Sequence, residues 1–222
     1  MDDVIIQRKI KLIAFDLDGT LVKEDSSWGK IHKHFNTVES ERRNLKLYLM
    51  GEISYKEFMR RDIASWPKPL RIDDIRRILL DYELTEGSIE TIKELREMEI
   101  STAIISAGID ILAEDVAKKL GIDYVIANGL EVDENGLLTG EGIERVDLLR
   151  KDKAFINLVK QLGIDLRETV AVGDSWYDWT LLRCSGVGIA LGNDPELLRT
   201  ADLSANSIRE IPFIIRKISL FL

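Results

Sequence analysis

Short apolar runs alternate along the chain with stretches whose apolar residues recur every three or four positions. The runs "KIKLIAFD" (9–16), "STAIIS" (101–106), "YVIAN" (124–128), "TVAVGD" (169–174) and "GVGIAL" (186–191) predict strands. Those ending at Asp16, Ser106 and Asp174 are almost continuous in apolar residues, as parallel strands covered by helices on both faces should be. Between the runs, "TEGSIETIKELREME" (85–99), "GIDILAEDVAKKLG" (108–121) and "KDKAFINLVKQLG" (151–163) have helical spacing, and the last two end on a glycine in the C-terminal capping position. In "GNDPELLRTA", Asp194 caps a further helix with Pro195 at its first position. The alternation predicts an α/β fold, a Rossmann-like doubly wound parallel sheet.

One interval breaks this rhythm. From residue 24 to about 82 there is no strand pattern, only helical patterns interrupted at "NTVES", "GEIS" and "WPKPL". It predicts a helical insertion after the first strand. The segment "EVDENGLLTGE" (131–141) reads as a hairpin or flap turning at Asn135-Gly136. No internal repeat or low-complexity tract is visible.

Composition narrows the setting. A chain of 222 residues, 45% hydrophobic and 32% charged, can bury a sizeable core. The net charge of -8, without any basic run, argues against nucleic acid and anionic membrane as partners. A single cysteine, Cys184, excludes an intrachain disulfide and a cysteine zinc site. With no signal-like N-terminus and no long apolar run, the expected compartment is the cytoplasm. Assembly is left open between monomer and homodimer.

The strand ends carry the chemistry. In an open parallel sheet, ligands bind outside the carboxyl ends of the strands. There the sequence sets Asp16 and Asp18, Ser106, and Asp174 with Asp178 just beyond, while Lys151 opens the helix before the last of these strands. Asp16 and Asp18 also suit a plain turn after a strand, since Asp, Gly and Thr favour turns. Four converging carboxylates would repel one another unless a hard cation such as Mg²⁺ were bound, which outlines a metal-assisted phosphoryl-transfer site.

This arrangement resembles the haloacid dehalogenase superfamily of phosphatases over essentially the whole chain. Its first motif, Asp-x-Asp-Gly-Thr, stands as "DLDGT" at 16–20, its second as Ser106 in "IISAG", and its fourth as "GDSWYD" at 173–178. For the third, a lysine, Lys151 and Lys153 compete, and Lys151 is favoured. The resemblance implies that Asp16 is the nucleophile forming an aspartyl phosphate and that Asp18 is the general acid and base. It implies phosphoryl binding by Ser106, Ala107 and Lys151, magnesium held by Asp16, the Asp18 carbonyl and Asp174, and support from Asp178 and Thr20. Because the dehalogenase branch lacks the acid at Asp18, phosphoester chemistry follows.

Within the superfamily the chain resembles the phosphoserine phosphatase-like branch, flap included. That implies an α/β core over 1–22 and 83–222, with a helical cap at 23–82 that chooses the substrate. The cap departs from the branch: Asp25 stands where a glutamate reads the substrate amine, and Asp62 where an arginine grips its carboxylate, with Arg60 adjacent. Trp176 and Tyr177 replace a small residue and asparagine, and Ala107 replaces a glycine. Asp25, Arg60 and Tyr177 are therefore the candidate substrate-selecting residues. Trp28, Trp66, Trp176 and Tyr177 either line an aromatic pocket or pack cap against core. His32 and His34 lie two apart, on different helix faces, and are expected as surface or cap residues rather than a metal pair. Cys184 is expected as a small buried residue.

The expected function is a Mg²⁺-dependent phosphomonoesterase for a small phosphorylated metabolite, with O-phosphoserine the first to test. A phosphotransferase or phosphomutase on the same scaffold is the alternative. A phospho-receiver module needs only about half this length and separates its acidic pair, and a silent scaffold would not need every catalytic position filled.

Overall fold

The computed structural model describes residues 9–221, so the first eight residues of the segment assigned to 1–22 lie outside it. In chain order the elements are β1 (Leu12–Phe15), α1 (Ser27–Phe35), α2 (Val38–Leu49), α3 (Tyr55–Ser65), α4 (Ile72–Leu79) and α5 (Ser88–Glu97). They continue as β2 (Ser101–Ile109), α6 (Asp110–Leu120), β3 (Tyr124–Val132), β4 (Leu138–Ile143), α7 (Lys151–Leu162) and β5 (Thr169–Gly173). The last are α8 (Trp179–Cys184), β6 (Val187–Leu191), α9 (Pro195–Leu198), β7 (Leu203–Ala205) and α10 (Ile211–Phe221).

The strands form one sheet in the order β4-β3-β2-β1-β5-β6-β7. All pairings are parallel except β3 with β4. All four residues of β1 are buried, as a strand with parallel neighbours on both edges and helices on both faces requires. The winding reverses at β1: the chain proceeds to β2 and β3, then returns to β5, β6 and β7 on the other side. Right-handed crossovers in two directions put helices on both faces, with α5 packing on α6 and α10, and α7 on α8. The doubly wound sheet is therefore as predicted, and its reversal at β1 creates the crevice where such folds bind ligands.

Several details were not in the pattern. β7 is three residues long and largely exposed, too short and too wet to give a hydrophobic signal. β2 runs past Ser106 to Ile109, where a register shift against β3 pairs Ile109 with Asn128. The hairpin is as predicted: Asp133 Oδ1 accepts from the Asn135 and Leu137 amides, and Gly136 takes φ +75°. Cys184 is half-buried at the end of α8, its thiol on the Leu181 carbonyl, rather than fully enclosed.

Residues 23–82 hold α1 to α4 and no strand of the sheet. Ser26 and Ser54 cap α1 and α3 by accepting from the Gly29 and Glu57 amides. The two passages between this segment and the sheet run side by side, bridged at Val22 and Leu84 and by the Lys23 amide on the Glu83 carbonyl. The segment has its own polar interior. His32, expected at a surface or in the cap, is buried there: Nδ1 lies 2.7 Å from Thr37 Oγ1 and Nε2 lies 3.4 Å from Asp62 Oδ2. Asp62 in turn accepts from Asn44 Nδ2 at 2.7 Å. His34 is exposed, on the opposite side of the helix as expected.

One buried side chain ties these parts together. Asn128, at the end of the "YVIAN" run, donates through Nδ2 to the Ala107 and Val146 carbonyls and accepts through Oδ1 from the Arg145 and Val146 amides. Replacing Asn128 by Ala takes this partner from the Val146 carbonyl and from the Arg145 and Val146 amides, so stability should fall by about 2–3 kcal/mol. A urea midpoint lowered at unchanged slope is the expected reading.

Candidate active site

Register sets the geometry of the site. Phe15 pairs with Ile104 of β2 and with Val172 of β5, so the three central strands are in step where β1 ends. Asp16 follows Phe15 directly, Ser106 stands two residues past Ile104, and Asp174 two past Val172. The three reactive side chains therefore share one edge of the sheet. Lys151, the first residue of α7, enters from above with its side chain 3% exposed.

Its ammonium lies 2.8 Å from Asp16 Oδ1 and 2.6 Å from Asp178 Oδ1. Burial works against the charge of Lys151, yet Asp16 and Asp178 outweigh it and hold the ammonium above the usual lysine range. Asp178 is fixed from its other oxygen, which accepts from the Asp174 and Ser175 amides. Lys153, the other lysine considered, is exposed and takes no part.

The turn after β1 is shaped by close approach. Gly19 has φ +80°, and a Cβ there would sit 2.2 Å from Asp174 Oδ2. Thr20 Oγ1 donates to Asp174 Oδ1 at 2.6 Å and so orients that carboxylate. Asp18 Oδ2 accepts from Ser27 Oγ at 2.9 Å, and Ser27 Oγ accepts from the Ile109 amide at 3.1 Å, which leaves its hydroxyl proton for Asp18. Asp18 Oδ1 is buried without a hydrogen-bond partner. Ser27 gives no signal in the sequence: one serine of "SS" suffices to cap the helix, and nothing in the spacing assigns the other a task.

Too many carboxylates meet here for one ammonium. Burial, then the neighbouring Asp178, pushes Asp16 well above the usual carboxylate range. Burial raises Asp18 to about 6, and burial with Asp178 raises Asp174 to about 7. Asp16, Asp174 and Asp178 offer oxygens within 4.8 Å of one another. A hard divalent cation suits such an all-oxygen set and would reverse the direction of these shifts. The unpartnered Asp18 Oδ1 and the raised Asp16 and Asp174 fit a site that expects more positive charge than Lys151 supplies.

Above this floor lies a cavity of about 180 Å³. Asp25 and Tyr177 line it, and so do Ser106 and Ala107. Trp28 lines it too, one of the two readings given for that residue, and so do Tyr55, Phe58 and Glu41, which the sequence did not single out. Trp28 Nε1 and Tyr55 OH both donate to the Ala107 carbonyl at 3.1 Å. Trp66 backs Trp28 at 5.7 Å, and Trp176 stacks on Trp179 away from the cavity. Arg60 is not brought to the site: its guanidinium is held by Glu57, one turn earlier on α3, and lines a separate hollow with Arg43 and Arg61. Asp62 does not face the cavity either, being part of the interior around His32 and Asn44.

A family model for haloacid dehalogenase-like hydrolases matches residues 13–183. The chain belongs to that family. It is 34% identical over 210 residues to the phosphoserine phosphatase of Methanocaldococcus jannaschii, covering 93% of this chain and 98% of that protein. A solved phospho-aspartyl intermediate analogue of phosphoserine phosphatase superposes with a TM-score of 0.78 at 32% identity, covering 93% of this chain and 99% of that one. A substrate-bound phosphoserine phosphatase complex superposes with a TM-score of 0.78 at 32% identity, over 93% and 98% of the two chains. The chain is thus a phosphoric monoester hydrolase of this family. No helix among the described residues is long and apolar enough to cross a membrane.

Lys151 is where this family member concentrates its electrostatic burden. Replacing it with Met leaves two buried carboxylates uncompensated, so stability should fall by roughly 3–5 kcal/mol, read by thermal or urea unfolding. Lys153→Met, on the exposed neighbour, should be silent to within ~0.5 kcal/mol.

Proposed function

We propose that this protein is a Mg²⁺-dependent phosphomonoesterase that hydrolyses a small phosphorylated metabolite through an aspartyl phosphate on Asp16. The observation that carries the reading is the register of β1 with β2 and β5, which brings Asp16, Ser106 and Asp174 to one end of the sheet, with the Lys151 ammonium on Asp16 and Asp178. Asp16 attacks phosphorus while Asp18 gives a proton to the departing ester oxygen, so the alcohol leaves neutral and Asp18 is left ionised. Asp18 then takes a proton from water as its oxygen attacks phosphorus, which frees phosphate and restores the Asp16 carboxylate. Lys151, Ser106 and the Ala107 backbone bind the phosphoryl oxygens, and Asp178 holds Lys151 in place. Magnesium, held by Asp16, the Asp18 carbonyl and Asp174, supplies when bound the charge that lets a carboxylate approach a phosphate.

Residues 23–82 act in this reading as a cap over the core of 1–22 and 83–222. The relatives whose names carry phosphoserine make O-phosphoserine part of any substrate panel. Lining of the cavity by Asp25 and Tyr177 supports a selecting role for both, whereas Arg60 is withdrawn from that role by its distance from the site.

Phosphate release with Mg²⁺ from p-nitrophenyl phosphate and a panel of phosphomonoesters tests the reading. Asp16→Asn should lower kcat by at least about 10³-fold, since it removes the nucleophile. Activity that survives in Asp16→Asn would overturn the mechanism, and transfer to an added alcohol in place of water would mark a phosphotransferase. Thr20→Val removes the hydrogen bond that orients Asp174 and should raise the Mg²⁺ concentration for half-maximal activity by about 10-fold, with Thr20→Ser close to the parent.

A further inference from the structure

The cavity wall is acidic and aromatic where a carboxylate-bearing substrate would need a cation. Asp25, exposed at the start of the helical segment, and Glu41, half-buried on α2, both line it. Neither has an ion-pair partner among the described residues. Lys151 is the one lining residue with a positive charge, and Asp16 and Asp178 already hold it. Cations close along the chain are engaged elsewhere: Lys23 pairs with Glu83, Lys30 with Glu24 and Arg42 with Glu39, while Arg60 and Arg61 both bind Glu57.

Glu41 has room made for it. On α1, Gly29 leaves space for its carboxylate, since a Cβ at that position would sit 3.1 Å from Glu41 Oε1. Burial raises the Glu41 pKa, with Asp62 adding to it, against the pull of His32, Lys33 and Arg42. Trp28, Tyr55, Phe58 and Tyr177 line the same cavity, and aromatic rings of this kind attract cations. A substrate carboxylate placed in this chamber would meet two carboxylates and no free cation. An ammonium would meet both charges and the rings.

We propose that the site selects phosphate monoesters of amino alcohols, with an ammonium or quaternary ammonium group and no carboxylate, and that Glu41 is the residue reading the cation. This rests on the phosphomonoesterase reading above and specifies its substrate class. Glu41 sits on the second helix of the insertion, so selection comes from the segment that forms the cavity wall, while the phosphoryl group stays on the floor with Ser106 and Lys151.

The test is kcat/KM of the full chain with Mg²⁺ for O-phosphoethanolamine, phosphocholine, L-phosphoserine and propyl phosphate, with p-nitrophenyl phosphate as an indicator of the bare chemistry. One or both amine esters should exceed L-phosphoserine and the neutral propyl ester by at least about 10-fold. Glu41→Gln should cut the ratio of amine ester to propyl ester about 10-fold, and Glu41→Arg should lower the ratio of amine ester to L-phosphoserine further. If L-phosphoserine or propyl phosphate equals or exceeds both amine esters while p-nitrophenyl phosphate turns over, the inference is overturned and the phosphatase reading stands. If no ester, p-nitrophenyl phosphate included, is hydrolysed, the phosphatase reading falls and takes the inference with it. The wild-type ranking decides even where a Glu41 variant folds poorly.

Discussion

The buried Lys151 ammonium between Asp16 and Asp178 is the interaction on which the site depends. Two carboxylates and an amine would each be costly in this interior, and their proximity offsets most of that cost. The arrangement also ties three elements together: Asp16 follows β1, Asp178 precedes α8, and Lys151 begins α7. Because Asp178 is also held by the Asp174 and Ser175 amides, the ammonium is anchored to the backbone after β5 as well as to a side chain. The free oxygen of Asp16 can then face the cavity without the carboxylate swinging away.

The same crowding explains why the site calls for more charge than the protein provides. One lysine cannot balance Asp16, Asp174 and Asp178 together, and burial has pushed Asp16, Asp18 and Asp174 towards their protonated forms. A divalent ion and a phosphoryl group add charges of opposite sign to one small volume. Substrate and metal would therefore support each other's binding, each reducing the repulsion that the other meets.

The proposed catalytic floor was legible in the sequence because three of its residues sit at the ends of apolar runs. A buried parallel strand announces itself in four or five letters, and the polar residue that stops it must face the crevice. Asp16, Ser106 and Asp174 are found in that way, and Lys151 by its place at a helix start. The wall was not legible by the same route. Glu41, Tyr55 and Phe58 lie on helices whose crossing angles decide which face turns inward, and spacing alone does not contain those angles. Arg60 illustrates the point: two residues before Asp62, it lies on another face of α3 and pairs with Glu57 instead. Ser27 and Asn128 were hidden for a different reason, since each resembles ordinary capping or strand-ending chemistry until its partners are known.

Residue 107 shows how the floor and wall are joined without depending on side-chain identity. The Ala107 carbonyl accepts from Trp28, Tyr55 and Asn128, which come from α1, α3 and β3. A backbone carbonyl is available whether the residue is alanine or glycine, so the methyl group is tolerated there. Position 108 is different: a Cβ on Gly108 would lie 2.6 Å from both Asp18 Oδ2 and Ser27 Oγ, inside the hydrogen bond that orients the acid. The departure at 107 thus leaves the chemistry intact, whereas a side chain at 108 would displace Asp18. With the wall pinned through that carbonyl, changes on α2 such as Glu41 can alter what the cavity accepts while the phosphoryl site keeps its geometry. In the proposed reading, chemistry and selectivity are carried by separate sets of residues that share one backbone anchor.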